Sequence, residues 1–238
     1  RHIERCTNIL HLIDVTNDNL LENYYFNIFF SLFCFLVLIN GSNFIDGNNG
    51  ISLGYFLIIF LLLFYLIEKN SIFFENDFIF SFIFILTFLL ILNLFNQLYL
   101  GDSGVYLLSL FSGYILINLF IQNQSISPYF IVNIFWYPAF EILFSLIRKI
   151  KSKYSPLMPD TTHLHQLLFF YFLKKINLSK SILNSVTGIC INMYNGTILY
   201  FASMNIYNTK IQIIFLFFSL IIYLIFYFML TKFKKSSN

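Results

Sequence analysis

Between residues 24 and 231 the chain breaks into apolar runs near 24–40, 51–67, 78–95, 105–121, 129–147, 184–204 and 211–231. Each run is roughly 17–21 residues long, close to the ~20 that carry a helix across a ~30 Å hydrocarbon layer. The runs are continuously apolar and lack the period-two alternation of a membrane barrel, so helices are expected. Only 11% of the 238 residues are charged and 58% are hydrophobic. A soluble domain carries about 25% charged residues, so this chain has too little polar surface for a fold exposed to water on all sides. The expected fold is all-α and integral to the membrane: one polytopic bundle of about seven spans over residues 1–238, with 1–23 as an outer-face segment and 148–183 as a long loop. No repeat of 20–50 residues divides it.

Seven spans fix which connections share a side. One set holds 41–50, 96–104, 148–183 and the C-terminal tail; the other holds 1–23, 68–77, 122–128 and 205–210. The first set carries ten of the fourteen cations: Arg148, Lys149, Lys151, Lys153, Lys174, Lys175, Lys180, Lys232, Lys234 and Lys235. That is the positive-inside bias, which makes the first set cytoplasmic. Asp46, Asp102, Asp160, His163 and His165 all then fall at cytoplasmic helix ends, although they come from three separate stretches.

Each of those stretches is polar, and each has a plain structural reading beside a functional one. Asn43-Phe44-Ile45-Asp46-Gly47-Asn48-Asn49-Gly50 is either a reverse turn bonding its own backbone or a glycine-loosened loop in which Asp46 meets a cation or a sugar. In Gly101-Asp102-Ser103-Gly104, Asp102 either caps the following helix or holds a Mg²⁺ ion that bridges phosphates at that helix N-terminus. The third is Pro159-Asp160-Thr161-Thr162-His163-Leu164-His165, just after the basic run 148–153. A helix opening at Pro159 would put Asp160 and His163 on one face, whereas an extended segment would align His163 with His165. The histidine spacing does not match the helical zinc-protease pattern, and phosphate is the better partner in so cationic a loop. The basic run by itself also fits topology and attraction to lipid headgroups.

Glu141 is the lone ionisable residue inside an apolar run. Intramembrane acids are costly and mark functional candidates; Arg148, seven residues on, shares roughly the same helical face and is a candidate partner, which leaves a structural ion pair and a catalytic role both open. Cys6, Cys34 and Cys190 show neither disulfide nor zinc spacing. The net charge of +3 is too small to point to nucleic acid. The chain opens on Arg1 without a signal pattern, and an upstream segment is expected.

Together the motifs Asn43-x-x-Asp46-Gly47-x-Asn49-Gly50, Leu100-Gly101-Asp102-Ser103-Gly104 and Ser155-Pro156-x-x-Pro159-Asp160-x-x-His163-Leu164-His165 resemble those of the polyprenyl-phosphate N-acetylhexosamine-1-phosphate transferases, glycosyltransferase family 4. The resemblance spans about 24–231 and is to the bacterial branch that uses a UDP-sugar and undecaprenyl phosphate. It implies an inner-membrane enzyme moving HexNAc-1-phosphate from a UDP-HexNAc (UDP-GlcNAc first) to undecaprenyl phosphate, with Mg²⁺ (or Mn²⁺) as cofactor and UMP as product. It also implies a start to lipid-linked envelope glycan synthesis, leaves a homodimer open, and places a paired-aspartate motif upstream of residue 1. By the resemblance Asp46, Asp102, His163 and His165 are the catalytic candidates, with Asp102 as metal ligand. Asn43, Asn49, Arg148 and Asp160 are the candidates for binding donor and metal. Three positions depart from the family pattern: Asn49 stands for a second aspartate, Gln166 for a third histidine, and Glu141 for the usual Asp.

Two other classes compete. A flippase for lipid-linked glycans would carry polar groups and broken helices at mid-membrane, but the span centres are mostly Phe, Leu and Ile. A catalytically incomplete scaffold would not need Asp46, Asp102, His163 and His165 together.

Overall fold

The computed structural model describes residues 24–69, 71–73, 78–151 and 162–237. Among them the chain forms eight helices: α1 Tyr24–Ile45, α2 Ile51–Glu68, α3 Phe78–Leu94, α4 Gly101–Gln122, α5 Pro128–Lys151, α6 Leu164–Lys175, α7 Lys180–Ser203 and α8 Thr209–Ser236. No strand occurs among the described residues. The fold is a polytopic helical bundle of membrane character.

Seven of these helices stand where the apolar runs predict them. Five (α1, α2, α4, α5 and α8) are long and apolar enough to cross a membrane. The other two differ for physical reasons. Helix α3 has only 17 residues. Helix α7 has 24 residues, but Thr187, Asn192 and Asn195 interrupt its apolar surface, and all three are buried against neighbouring helices. Its polarity faces protein, where amides find partners, which is where a membrane helix tolerates it. Inside the long loop, where the sequence left a helix and an extended segment open, the structure carries the short helix α6.

Helix α1 packs on α4 and α5, α2 on α3 and α7, and α6 on α7 and α8. The core is large and aromatic. Tyr55, Phe56, Phe60, Phe130, Tyr137 and Tyr223 are essentially fully buried, and Tyr223 meets Phe140 and Phe144 edge-on at 4.9 and 5.8 Å, a favoured aromatic geometry. Amides join helices within this apolar interior. Asn133 Nδ2 donates to Gln212 Oε1 at 2.8 Å, and Gln212 Nε2 donates to the Ala202 carbonyl at 2.7 Å.

Pro138 lies in the middle of α5. Having no N–H, it leaves the carbonyl four residues back, that of Ile134, without its helical partner. The Tyr55 hydroxyl donates to that carbonyl at 2.7 Å, so α2 repairs the break in α5. Tyr55→Phe should therefore destabilise the bundle by about 1–3 kcal/mol, the cost of a buried unsatisfied carbonyl. Adding Pro138→Ala should recover part of the loss, because residue 138 regains its N–H. Thermal unfolding of the two single variants and the double in detergent checks this; strictly additive losses would refute the coupling.

The helix ends alternate between two poles. The C-termini of α1, α3, α5 and α8 and the N-termini of α2, α4, α6 and α7 share one pole, where the polar islands lie. The opposite pole is tied by Asn123, which bonds both the N–H and the carbonyl of Phe73, and by the Ser127 N–H to the Ile206 carbonyl at 2.8 Å.

Candidate active site

Helix α1 ends at Ile45, and the island that follows turns through Asp46–Asn49 into Gly50, whose φ of +80° begins α2. A side chain at Gly50 would be strained in that left-handed conformation. Around this turn the asparagines act as a clamp. Asn48 Nδ2 donates to Asn184 Oδ1 on α7, and Asn49 Nδ2 donates to Asn96 Oδ1 at 2.6 Å. The Gly50 N–H reaches Asn93 Oδ1 at 2.5 Å, and its carbonyl accepts from Asn192 Nδ2 at 2.6 Å. Asn96 itself sits at φ +60°, a conformation asparagine tolerates better than most residues. Gly188 of α7 lies so close to the Asn49 carbonyl that a Cβ would overlap it. The loop is thus fixed by backbone and amide contacts from α3 and α7.

Asp46 and Asp102 come together at this pole. Asn43 Nδ2 donates to the Tyr106 hydroxyl at 3.2 Å, joining α1 to α4 beside both acids, and Asp102 lies exposed in the first turn of α4. Burial, with added repulsion from Asp102, pushes the Asp46 carboxyl up from 3.8 to about 7. Two acids that repel each other, one partly desolvated, form an electrostatic site that a cation would relieve. Among the described residues no group of three or more His, Cys, Asp or Glu could hold a metal ion. A pair still suits Mg²⁺, which is commonly held by one or two carboxylates plus waters and substrate phosphates.

The raised Asp46 acid also dictates a pH response of stability. Its folded value lies above its unfolded one, so between about pH 4 and 7 the folded chain holds a proton that the unfolded chain has lost. Stability without divalent cations should fall as pH rises through that window. Asp46→Asn should flatten the fall, as thermal unfolding in EDTA at pH 4.5 to 8 would report; an unchanged slope would refute the coupling.

Glu141, fully buried on α5, reaches the other half of the site. Its Oε2 lies 2.8 Å from His163 Nδ1, and its Oε1 accepts the Leu164 N–H at 3.2 Å. Leu164 is the first residue of α6, so one carboxylate both holds the imidazole and caps the helix, a favoured place for negative charge. The His163 N–H donates to Gln166 Oε1 at 3.3 Å, the reciprocal bond of a capping box. Thus Gln166, where a third histidine was expected, serves the helix start.

Helix α6 begins at Leu164 with His163 before it extended at φ −67°, ψ 151°; the helix start considered at Pro159 lies outside the described residues. The two imidazoles consequently stack, 5.6 Å apart and 4° from parallel. Phe44 of the first island meets His163 edge-on at 5.4 Å. His165 Nε2 abuts Gly47 so closely that a Cβ there would collide with it. Both histidines are buried, at 4% and 0% exposure. In this chain they brace the Asp46 loop from behind.

The candidate pairing of Glu141 with Arg148 is thus replaced by Glu141 with His163. The Arg148 guanidinium lies over the Phe144 and Tyr227 rings at 4.7 and 5.1 Å, a cation–π arrangement that joins α5 to α8. Asn43 and Asn49 serve as inter-helix contacts, as described above. Asp160 lies outside the described residues. The Glu141–His163 contact joins residues 22 apart in sequence. The only signal for it was an acid stranded in an apolar run.

Neither the curated proteins nor the solved structures yielded a match. Residues 5–120 match the family model described as Glycosyl transferase family 4. That stretch carries Asp46 and Asp102 but ends before Glu141, His163 and His165, which join them through the fold. Over residues 5–120, just under half of its length, the chain is similar to the glycosyl transferase family 4.

Proposed function

We propose that the protein transfers HexNAc-1-phosphate from a UDP-HexNAc to a polyprenyl phosphate, undecaprenyl phosphate being the first acceptor to test, with release of UMP. The observation that carries this reading is the meeting, at one pole of an apolar bundle, of Asp46, on a loop braced by His163 and His165, with Asp102 in the first turn of α4. A family 4 match over the same acids supports phosphosugar transfer to a lipid phosphate in general. The polar pole of a membrane bundle is where a water-soluble donor and a lipid-anchored phosphate can meet. By the cation distribution that pole faces the cytoplasm.

In the proposed reaction an oxygen of the lipid phosphate attacks the β-phosphorus of the donor. A new P–O bond forms, the bond to the bridging oxygen breaks, and UMP leaves with that oxygen. Such chemistry rests on in-line positioning and charge neutralisation. Asp102, with Asp46 beside it, would hold Mg²⁺, which when bound supplies positive charge to the diphosphate oxygens. Asp46 is the carboxylate suited to take a proton from the lipid phosphate. The amide clamp and the histidine brace keep its carboxylate from drifting, which matters because small misplacements cost large factors in rate.

Membranes carrying the protein, given undecaprenyl phosphate, labelled UDP-GlcNAc and either Mg²⁺ or EDTA, test the proposal. Mg²⁺-dependent appearance of UMP together with lipid-linked label is the expected result. Silence across a panel of UDP-HexNAc donors, in protein shown to be folded, would overturn it.

A further inference from the structure

Residues 162–237, which build α6, α7 and α8, contain seven lysines and no aspartate or glutamate. Three of those lysines come together where the end of α6 packs on the end of α8. The Lys174 and Lys234 ammoniums lie over the same Phe170 ring, at 5.7 and 5.8 Å, and the Lys175 ammonium lies over Phe233 at 5.6 Å. Tyr171 meets Phe233 edge-on at 4.9 Å, so the rings form one patch across the two helices. Two ammoniums over one ring are at most about 12 Å apart, near the ~8–10 Å over which charges still repel in salt. The rings and the helix C-termini offset part of that repulsion. The segment itself carries no carboxylate to cancel the rest.

An anion seated between α6 and α8 is the missing chemistry, and the position of the patch says which anion. Helix α8 is long and apolar enough to cross a membrane, and Lys234 lies in its last turn. Met229 and Phe226, four and seven residues before Phe233 on the same stripe of the helix, are exposed. They offer acyl chains an apolar surface directly below the lysines. A basic cluster above such a surface, at the end of a spanning helix, stands at the level of lipid headgroups. Helix α6 is 12 residues long, so the patch lies about 18 Å along it from His163, away from the two acids.

We propose that this patch binds the phosphate headgroup of an anionic phospholipid, and that the bound headgroup holds α6 against α8. Lys174 and Lys175 reach it from α6 and Lys234 from α8. Repulsion between the two helix ends then becomes shared attraction to one anion. The effect reaches the candidate site because α6 opens on the histidine pair that braces the Asp46 loop. Stability in the membrane reports the assignment, which stands apart from the transferase reading.

The test compares thermal unfolding, followed by Trp136 fluorescence, in vesicles of phosphatidylcholine alone and in vesicles with about a third phosphatidylglycerol. The wild-type protein should melt about 4 °C or more higher in the anionic vesicles. Lys174→Gln combined with Lys234→Gln removes both the repulsion and the contacts to the anion. That variant should melt no lower than the wild type in phosphatidylcholine and should lose most of the gain from phosphatidylglycerol. Lys232→Gln combined with Lys235→Gln is the control. It removes the same charge from α8 at positions that do not share the face of Lys234, and it should keep the gain. Among lipids carried through detergent purification, phosphatidylglycerol should be enriched over phosphatidylcholine on the wild type; this decides the matter if the first variant does not fold. A wild type indifferent to phosphatidylglycerol, a gain kept by the first variant or lost equally by the control, or even retention of the two lipids would overturn the assignment. Equal stabilisation by inorganic phosphate in phosphatidylcholine vesicles would also overturn it, marking a site for free anions.

Discussion

Asp102→Asn should reduce Mg²⁺-dependent release of UMP by about 10²–10³-fold, the scale seen when one preorganised electrostatic group is removed from a reacting centre. The substitution keeps size and shape and changes the charge. Asp102 is exposed at the start of α4, and the interior of that helix packs without it, so folding should be retained. Thermal unfolding in detergent and a monodisperse elution profile would establish that. The Asp46 carboxyl should return toward the ordinary range once its repulsive neighbour is gone, since Asp102 is one of the two causes of its elevation. Stabilisation by added Mg²⁺ should shrink in the variant as well. Turnover within about tenfold of the wild type would remove Asp102 from the reaction.

Glu141 is expected to give the largest stability effect. Glu141→Ala deletes the partner of a buried imidazole and the cap of α6 in one step, and breaking a buried pair costs about 3–5 kcal/mol. Glu141→Gln should cost less, because an amide oxygen can still accept from the Leu164 N–H. It cannot supply charge to His163, so activity should fall by about 10–100-fold, as it does when outer partners of functional side chains are removed. If Glu141 works through His163, then Glu141→Gln combined with His163→Ala should be no slower than the worse single variant. Multiplicative losses would mean that the two act separately.

The fold was legible from the sequence at the level of its helices. Apolar runs of membrane length leave few alternatives, and the structure carries a helix at each. Helix α6, 12 residues long, stayed one alternative of two because its apolar run, 167–173, is too short for periodicity to tell a helix from an extended segment. The site was legible in its parts and less so in its connections. Asp46, Asp102, His163 and His165 stand out by residue type among Phe, Leu and Ile. That Asn43 would reach Tyr106, or that His165 would press on Gly47, depends on how helices far apart in sequence are packed. Arg148 illustrates the limit. Helical periodicity correctly put it near the face of Glu141, but the Phe144 and Tyr227 rings that receive its guanidinium belong partly to α8, which no local pattern could bring near.

The amide clamp has a consequence for biogenesis. Asn48 bonds Asn184, 136 positions further along the chain, and the Gly50 carbonyl waits for Asn192, 142 positions from it. At ordinary translation speeds the ribosome needs on the order of ten seconds to cover that interval. During that time α1 and α2 can already be inserted, with their connecting turn released from its later restraints. The nascent membrane segment therefore holds its two acids before it holds α7, whose asparagines restrain the turn that carries one of them.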